Sequence, residues 1–320
     1  MKKLAVVTTY YNPSRYRTRR KNFEEFKQGI LRTGVALLTV ECVFGDEAPE
    51  LPAGPDVLHV QSNSVLWQKE RLLNLAASQL PHDVDAVAWI DADLLFLNPT
   101  WVQDTLAALK HNAIVQLFDT CTRLNELGEV GDTPDVVESM ASVMARFPQA
   151  INLQRYDIHG HTGYAWAMRR ELFDKVGLYE HAISGSADHF MAHAIFGDCG
   201  FCVKNALKHD PVQIAHFQEW ASRFYAHTQG RLGVVPGHIV HLWHGDLKHR
   251  NYFNRMHLIT DLGYNPYTDL HIAPGRPLEW APTLRKPGLV AYFKEFFDSR
   301  LEDGASGTTT AAASCCAQHA

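Results

Sequence analysis

The chain has 320 residues, of which 46% are hydrophobic and 20% charged, with a formal net charge of −5. That composition belongs to a globular protein with one large α/β domain or two modest ones, and its mild acidity argues against nucleic acid or an anionic membrane as a general partner. No apolar run approaches the roughly 20 residues that span a bilayer, so no transmembrane segment is expected.

The opening Met1-Lys2-Lys3 leads into only four apolar residues, too few for a secretory core, and reads as a first buried strand over residues 3–9. A helix follows over 19–33, with Phe23, Phe26 and Ile30 on one face and Gly34 as its stop. Strands are expected at 36–43 and 57–60, then a second helix over 65–80 that turns Leu66, Leu73, Ala77 and Leu80 inward. Further strands fall at 86–91 and 113–118. This βαβ rhythm implies a mostly parallel sheet flanked by helices, with ligands bound outside the carboxyl ends of the strands. Past Leu124 the pattern is less regular: a helix over 134–146, a Gly/His-rich turn, then a stretch to Arg300 dense in His, Trp and Tyr. Residues 303–320 are Gly/Ala/Ser/Thr-rich and are expected to be a disordered tail. Among the six cysteines, Cys199 and Cys202 form a lone CxxC with no second pair to complete four zinc ligands. Reduced thiols in a cytoplasmic protein are the expectation.

The strongest motif is Asp91-Ala92-Asp93 at the end of the buried run Ala86-Val87-Ala88-Trp89-Ile90. A turn after Asp91 would swing both carboxylates toward one ion, and hard oxygen ligands at a ligand-binding sheet edge suit Mn²⁺ or Mg²⁺ holding a diphosphate. Haloacid-dehalogenase-like phosphatases also end a strand this way, but Leu94-Leu95 departs from their usual pattern.

The order of landmarks over residues 3–260 resembles the GT-A glycosyltransferases: a first-strand loop, a helix before the Asp-x-Asp, a Gly-rich turn, a later acid and a late histidine. The resemblance implies one Rossmann-like GT-A domain over 1–302, with a donor half to about 120 and a less regular acceptor half from about 121. It implies transfer of a hexose from a nucleotide sugar, UDP-glucose or UDP-galactose first, to a glycan or small-molecule hydroxyl. Asp93 would bind the metal, Asp91 the ribose or a metal-bound water, and Thr8, Thr9 and Tyr10 the nucleoside. The helix Trp67–Asn74 would border the donor, with Trp67, Arg71 and Asn74 on one face and Lys69 toward the diphosphate. Gly160-His161-Thr162-Gly163 matches the turn that approaches the donor sugar, where Gly163 permits close backbone approach. Asp188 matches the base of the inverting enzymes, although Ala187 stands where that family often has a first acid. One carboxylate suffices to accept a hydroxyl proton; Asp188 could cap a helix at the same time. The late histidine is His244 in preference to His241, and a tight zinc pair is disfavoured for want of a third ligand.

Two basic stretches, Arg15–Lys21 and Lys248–Arg255, would flank the cleft and neutralise a diphosphate or grip an anionic acceptor. The resemblance extends to a phage group that glucosylates 5-hydroxymethylpyrimidines in DNA, so a glucosyltransferase acting on such DNA is an alternative with which these stretches would agree. A sugar-nucleotide-binding module without turnover is the rival of another class.

Overall fold

The computed structural model describes residues 2–304 except 156, 252 and 253. In chain order the first elements are β1 (Leu4–Tyr10), α1 (Arg17–Leu31), β2 (Ala36–Phe44), β3 (Val57–Ser62), α2 (Lys69–Gln79), β4 (Ala86–Ile90), β5 (Leu94–Phe96), α3 (Trp101–Ala108), β6 (Ile114–Gln116) and β7 (Thr120–Arg123). There follow β8 (Asp135–Glu138), α4 (Met140–Arg146), β9 (Ala165–Arg169), α5 (Arg170–Val176), α6 (Ala187–Ile195), α7 (Phe201–Ala206) and α8 (Pro211–Thr228). The last are β10 (Leu232–Val234), β11 (His238–His241), α9 (Arg255–Asp261), β12 (Leu270–Ile272), β13 (Leu278–Trp280) and α10 (Pro287–Asp298).

The central sheet runs β10-β6-β9-β4-β1-β2-β3. Its neighbours pair in parallel except β9, which is antiparallel to both β4 and β6. The expected mixed α/β architecture with a mostly parallel sheet is therefore present. Strand alternation sorts the side chains onto two covered faces. Ala5, Val7, Val87 and Trp89 join one core cluster with Leu72, Leu73 and Phe173, whereas Leu4, Val6, Ala88 and Ile90 join another with Phe23, Phe26 and Trp101. Strands β9 and β10 lie beyond residue 120, so the central sheet draws on both halves of the chain.

A second sheet, ordered β5-β11-β7-β8, starts immediately after the Asp-x-Asp. Because β5 pairs antiparallel with β11, Leu94 faces His241 across the ladder, and Leu242 N–H donates to the Asp93 carbonyl (2.8 Å). This pairing brings a histidine from 148 positions away next to Asp93.

Two expectations are corrected. The helix over 134–146 begins only at Met140, because Asp135–Glu138 pair with β7 as a strand and Ser139 then caps the helix by accepting from Ser142 N–H (3.1 Å). The disordered tail does not begin at 303. Asp303 accepts from the N–H groups of Arg17 (3.1 Å) and Thr18 (2.8 Å), so its carboxylate caps α1 from the far end of the chain. A cap of this kind stabilises a helix by about 1 kcal/mol. The remainder of that expected tail, 305–320, lies outside the described residues. Among the described residues, no helix is long and apolar enough to cross a membrane.

Candidate functional site

A cavity of about 790 Å³ opens at the carboxyl ends of β1 and β4. Asp91 follows β4 directly, and its N–H donates to the Tyr164 carbonyl (2.9 Å) in continuation of the β4–β9 ladder. The chain then turns through Ala92, so Asp91 and Asp93 both reach the cavity. His244 Nε2 lies 3.2 Å from Asp93 Oδ2 and 3.0 Å from His241 Nε2, and His241 Nε2 lies 3.9 Å from Asp93 Oδ1. Donor atoms bound at about 2.1 Å around one ion are separated by about 3–3.5 Å, so the three side chains form one ligand face. Asp93 Oδ1 is buried with no hydrogen-bond partner among the described residues, as an oxygen reserved for a cation would be.

The imidazoles are in the form a metal requires. Burial, reinforced by the Arg250 guanidinium, pushes His244 down to about 3 and His241 well below the ordinary range, so both are neutral near pH 7. Arg250 reaches both the carbonyl and Nδ1 of His244. The Glu302 carboxylate stands 3.9 Å from the same Nδ1. A guanidinium only donates, so in this arrangement Nδ1 accepts from Arg250 and the ring proton sits on Nε2, where an ion would displace it. Glu302 is fully buried; burial opposes its charge, but Arg19 and Arg300 hold it ionised well below the usual carboxylate range. Gly245 makes this approach possible. At φ +90° it packs where a Cβ would meet the Arg300 carbonyl at 2.7 Å. The sequence favours His244 over His241 and offers no obvious third donor; the structure brings His241, His244 and Asp93 together.

Across the cavity sits a second charged group. Lys69, at the start of α2, places its ammonium 2.7 Å from Asp91 Oδ1 and 3.0 Å from Asp188 Oδ2. Burial disfavours its charge, yet the Asp188 and Asp91 carboxylates raise its pKa well above the usual value. Asp188 lies in the first turn of α6 rather than at the cap, which Ser186 occupies. A Cβ on Gly163 would lie 3.0 Å from the His161 ring, tighter than ordinary contact, and at an ordinary 3.6 Å from Asp188 Oδ2, so the close approach that glycine permits here is to His161. Burial raises the pKa of Asp91, an effect that Lys69 offsets and Asp188 reinforces.

Glu70, beside Lys69, is 5% exposed and is pushed up to about 8, first by burial. The folded protein thus keeps a proton that the unfolded chain loses at an ordinary carboxylate pKa, and stability falls as pH rises from there to about 8. Glu70→Gln removes this penalty. Its melting temperature should match the wild type at about pH 4 and exceed it by a few degrees at about pH 9. A variant less stable than wild type at the higher pH contradicts the neutral form of Glu70.

No family model matches the sequence, and no curated protein matches it. Solved structures do show likeness. The glucosyl-3-phosphoglycerate synthase of Mycobacterium tuberculosis, in complex with Mn²⁺, UDP and glucosyl-3-phosphoglycerate, is similar at 13% identity and a TM-score of 0.45, over 82% of this chain and 79% of that one. Mannosyl-3-phosphoglycerate synthase from Rubrobacter xylanophilus is similar at 13% identity and a TM-score of 0.38, over 86% of this chain and 83% of that one. A mutant of the Drosophila β1,4-galactosyltransferase 7 with manganese, UDP-Gal and xylobiose is similar at 15% identity and a TM-score of 0.33. In that case 60% of each chain is covered, so this chain spans less than two thirds of the galactosyltransferase. These are loose likenesses, across which residue roles do not transfer.

The remaining expected residues divide. Thr9 and Tyr10 line the cavity, whereas Thr8 is fully buried and its hydroxyl donates to the Ile90 carbonyl (2.7 Å), bonding β1 to β4. Trp67 lines the cavity too. The helix begins only at Lys69 rather than at 65, so Trp67 precedes it and shares no helical face with Arg71 and Asn74, which turn away to bind Glu180; Asn74 also donates to the Leu178 carbonyl (3.0 Å). The basic stretches are largely neutralised internally: Arg15 pairs with Glu47 and Glu50, Arg17 with Asp303, Arg19 with Glu302, Arg20 with Glu24 and Lys248 with Asp246. Unanticipated in the cavity wall are Glu302, Arg300 and His161. His161 stacks on Tyr164 at 4.0 Å, and its Nδ1 accepts from Gly163 N–H (3.1 Å). It had a weak signal, the Gly/His-rich turn; Glu302 and Arg300 had none.

Proposed function

We propose that this protein is a metal-dependent GT-A glycosyltransferase that moves a hexose from a UDP-sugar, UDP-glucose or UDP-galactose, to a hydroxyl of a glycan or small-molecule acceptor, with inversion. The observation that carries this reading is the single cavity at the sheet's ligand edge that joins a three-donor face, Asp93, His241 and His244, to a separate carboxylate, Asp188. Its volume suits a nucleotide sugar with an acceptor beside it. Two imidazole nitrogens with one carboxylate favour Mn²⁺ over Mg²⁺, which prefers all-oxygen surroundings. Bound there, the ion would supply Lewis-acid neutralisation of the departing diphosphate. The chain's own groups do the rest. Thr9 and Tyr10 receive the nucleoside end, Lys69 fixes Asp91 and Asp188 in relative position, and Asp188 takes the acceptor proton.

The direct test is release of UDP from each UDP-sugar with Mn²⁺, with and without an acceptor panel. Turnover is expected to require the metal and to rise with a hydroxylated acceptor. No turnover with any donor at saturating Mn²⁺ removes the proposal.

A small acceptor, rather than DNA, agrees with the internal pairing of the basic stretches, which leaves little charge for a phosphate backbone. Contacts to several phosphates would weaken binding by about a thousandfold or more between about 50 and 200 mM salt. Transfer is therefore expected to change less than about twofold over that range. Labelled 5-hydroxymethylcytosine DNA and steep salt sensitivity would reverse the choice of acceptor.

A further inference from the structure

A second set of metal-ligating side chains lies beside the wall of the cavity. His159 follows the 3-10 turn Pro148–Leu153, His193 is in the last turn of α6, and Cys202 is in the first turn of α7. Their donor atoms all lie within 4.8 Å of one another, and all three residues are buried. None belongs to the Asp93 set.

The surroundings orient these donors as an ion would need. His193 is fully buried, and its Nδ1–H donates to Asp198 Oδ2 (2.5 Å), which places the lone pair on Nε2. That Nε2 has no hydrogen-bond partner among the described residues. Asp198 in turn accepts from Gln154 Nε2 (2.8 Å), and the other end of the same amide accepts from Cys202 N–H (2.9 Å). One glutamine thus ties the carboxylate behind one donor to the backbone of another. Outer-sphere bracing of this kind sets the tautomer and direction of ligands. His159 Nδ1 faces the Gly160 carbonyl at 3.1 Å; a carbonyl only accepts, so the His159 lone pair is also on Nε2.

We propose that His159, His193 and Cys202 form a second metal centre, suited to Zn²⁺, that fastens the loop carrying Gly163 to the helix carrying Asp188. One thiolate with two imidazoles is a borderline-soft donor set that matches zinc and leaves a fourth tetrahedral position. The His189 ring, 4.5 Å from that of His193 and 5.5 Å from that of His159, stands beside the set; it or a water supplies the fourth donor. Burial pushes the Cys202 thiol up to about 11, so without an ion the site holds a thiol. Binding then deprotonates Cys202: the S–H bond breaks, the S–Zn bond forms, and one proton leaves to solvent. Cys199, the other half of the CxxC, is not a member of the set.

The test uses the metal-free full-length protein and Co²⁺ as a spectroscopic stand-in for Zn²⁺. Wild type should develop a thiolate-to-cobalt charge-transfer band that one equivalent of Zn²⁺ bleaches. The Asp93 set has no sulfur and cannot give this band. Cys199→Ser should keep the band and Cys202→Ser should lose it, while Mn²⁺ binding measured by EPR stays as in wild type. Absence of the band in the wild type, or its survival in Cys202→Ser, overturns the proposal. The wild-type titration decides even where the serine variant does not fold, and sugar transfer plays no part in the readout.

Discussion

Asp93→Asn is expected to lower sugar transfer by about a thousandfold or more, with the fold intact. Asp93 is the one carboxylate in the three-donor face, and it stands 3.2 Å from His244 Nε2. Its backbone carbonyl, which accepts from Leu242 N–H to join the two sheets, is untouched by the substitution. Asparagine keeps the shape but gives up the charge that a hard divalent cation requires. The loss should therefore appear in Mn²⁺ affinity and turnover together, and excess Mn²⁺ should restore part of the activity. His241→Ala and His244→Ala should each weaken Mn²⁺ binding, since both imidazoles face the same point. Undiminished transfer by Asp93→Asn, or by wild type in excess EDTA, refutes metal dependence through this residue.

The parts of the molecule that were legible in the sequence are those specified by neighbours along the chain. The period of Phe23, Phe26 and Ile30 sufficed for α1, and the apolar approach Ala86–Ile90 sufficed to put Asp91 and Asp93 at a strand end. The segment 134–146 failed as a single helix because a strand pairing with β7, not local propensity, decides Asp135–Glu138. The same kind of distance hid half of the site. His241 reaches Asp93 through the β5–β11 ladder, and Glu302 meets Arg19 across 283 positions. Arg71 and Asn74 show the converse. Their helical spacing correctly places them on one face, but that face meets Glu180 rather than the cavity. Cys202 forms a CxxC with Cys199 in the sequence, whereas its spatial neighbours are two histidines from other elements. Local pattern thus located the carboxylates and the sheet edge. Long-range packing completed the ligand sets.

The second large effect concerns Asp188. Asp188→Asn is expected to lower kcat by about a hundredfold or more while the donor KM stays near the wild-type value. An acceptor hydroxyl must lose its proton as it attacks the anomeric carbon, and a carboxylate on the face away from the diphosphate takes that proton in a direct displacement. In this cavity Lys69 engages Asp188 through Oδ2 (3.0 Å), which leaves Oδ1 for the acceptor. Asparagine keeps the size and shape of the side chain but accepts no proton at neutral pH. Lys69 retains Asp91 as a partner at 2.7 Å, so the substitution does not strand a buried ammonium and should leave the melting temperature nearly unchanged. A purely structural role for Asp188 gives a different pattern, with lost stability and raised KM but little change in kcat. The stereochemistry of the product gives an independent check. A direct displacement inverts the anomeric centre, so NMR of the first-formed product from an α-linked UDP-sugar should show the β-anomer. A retained α-anomer excludes Asp188 as the base of an inverting reaction, whatever the variant's rate.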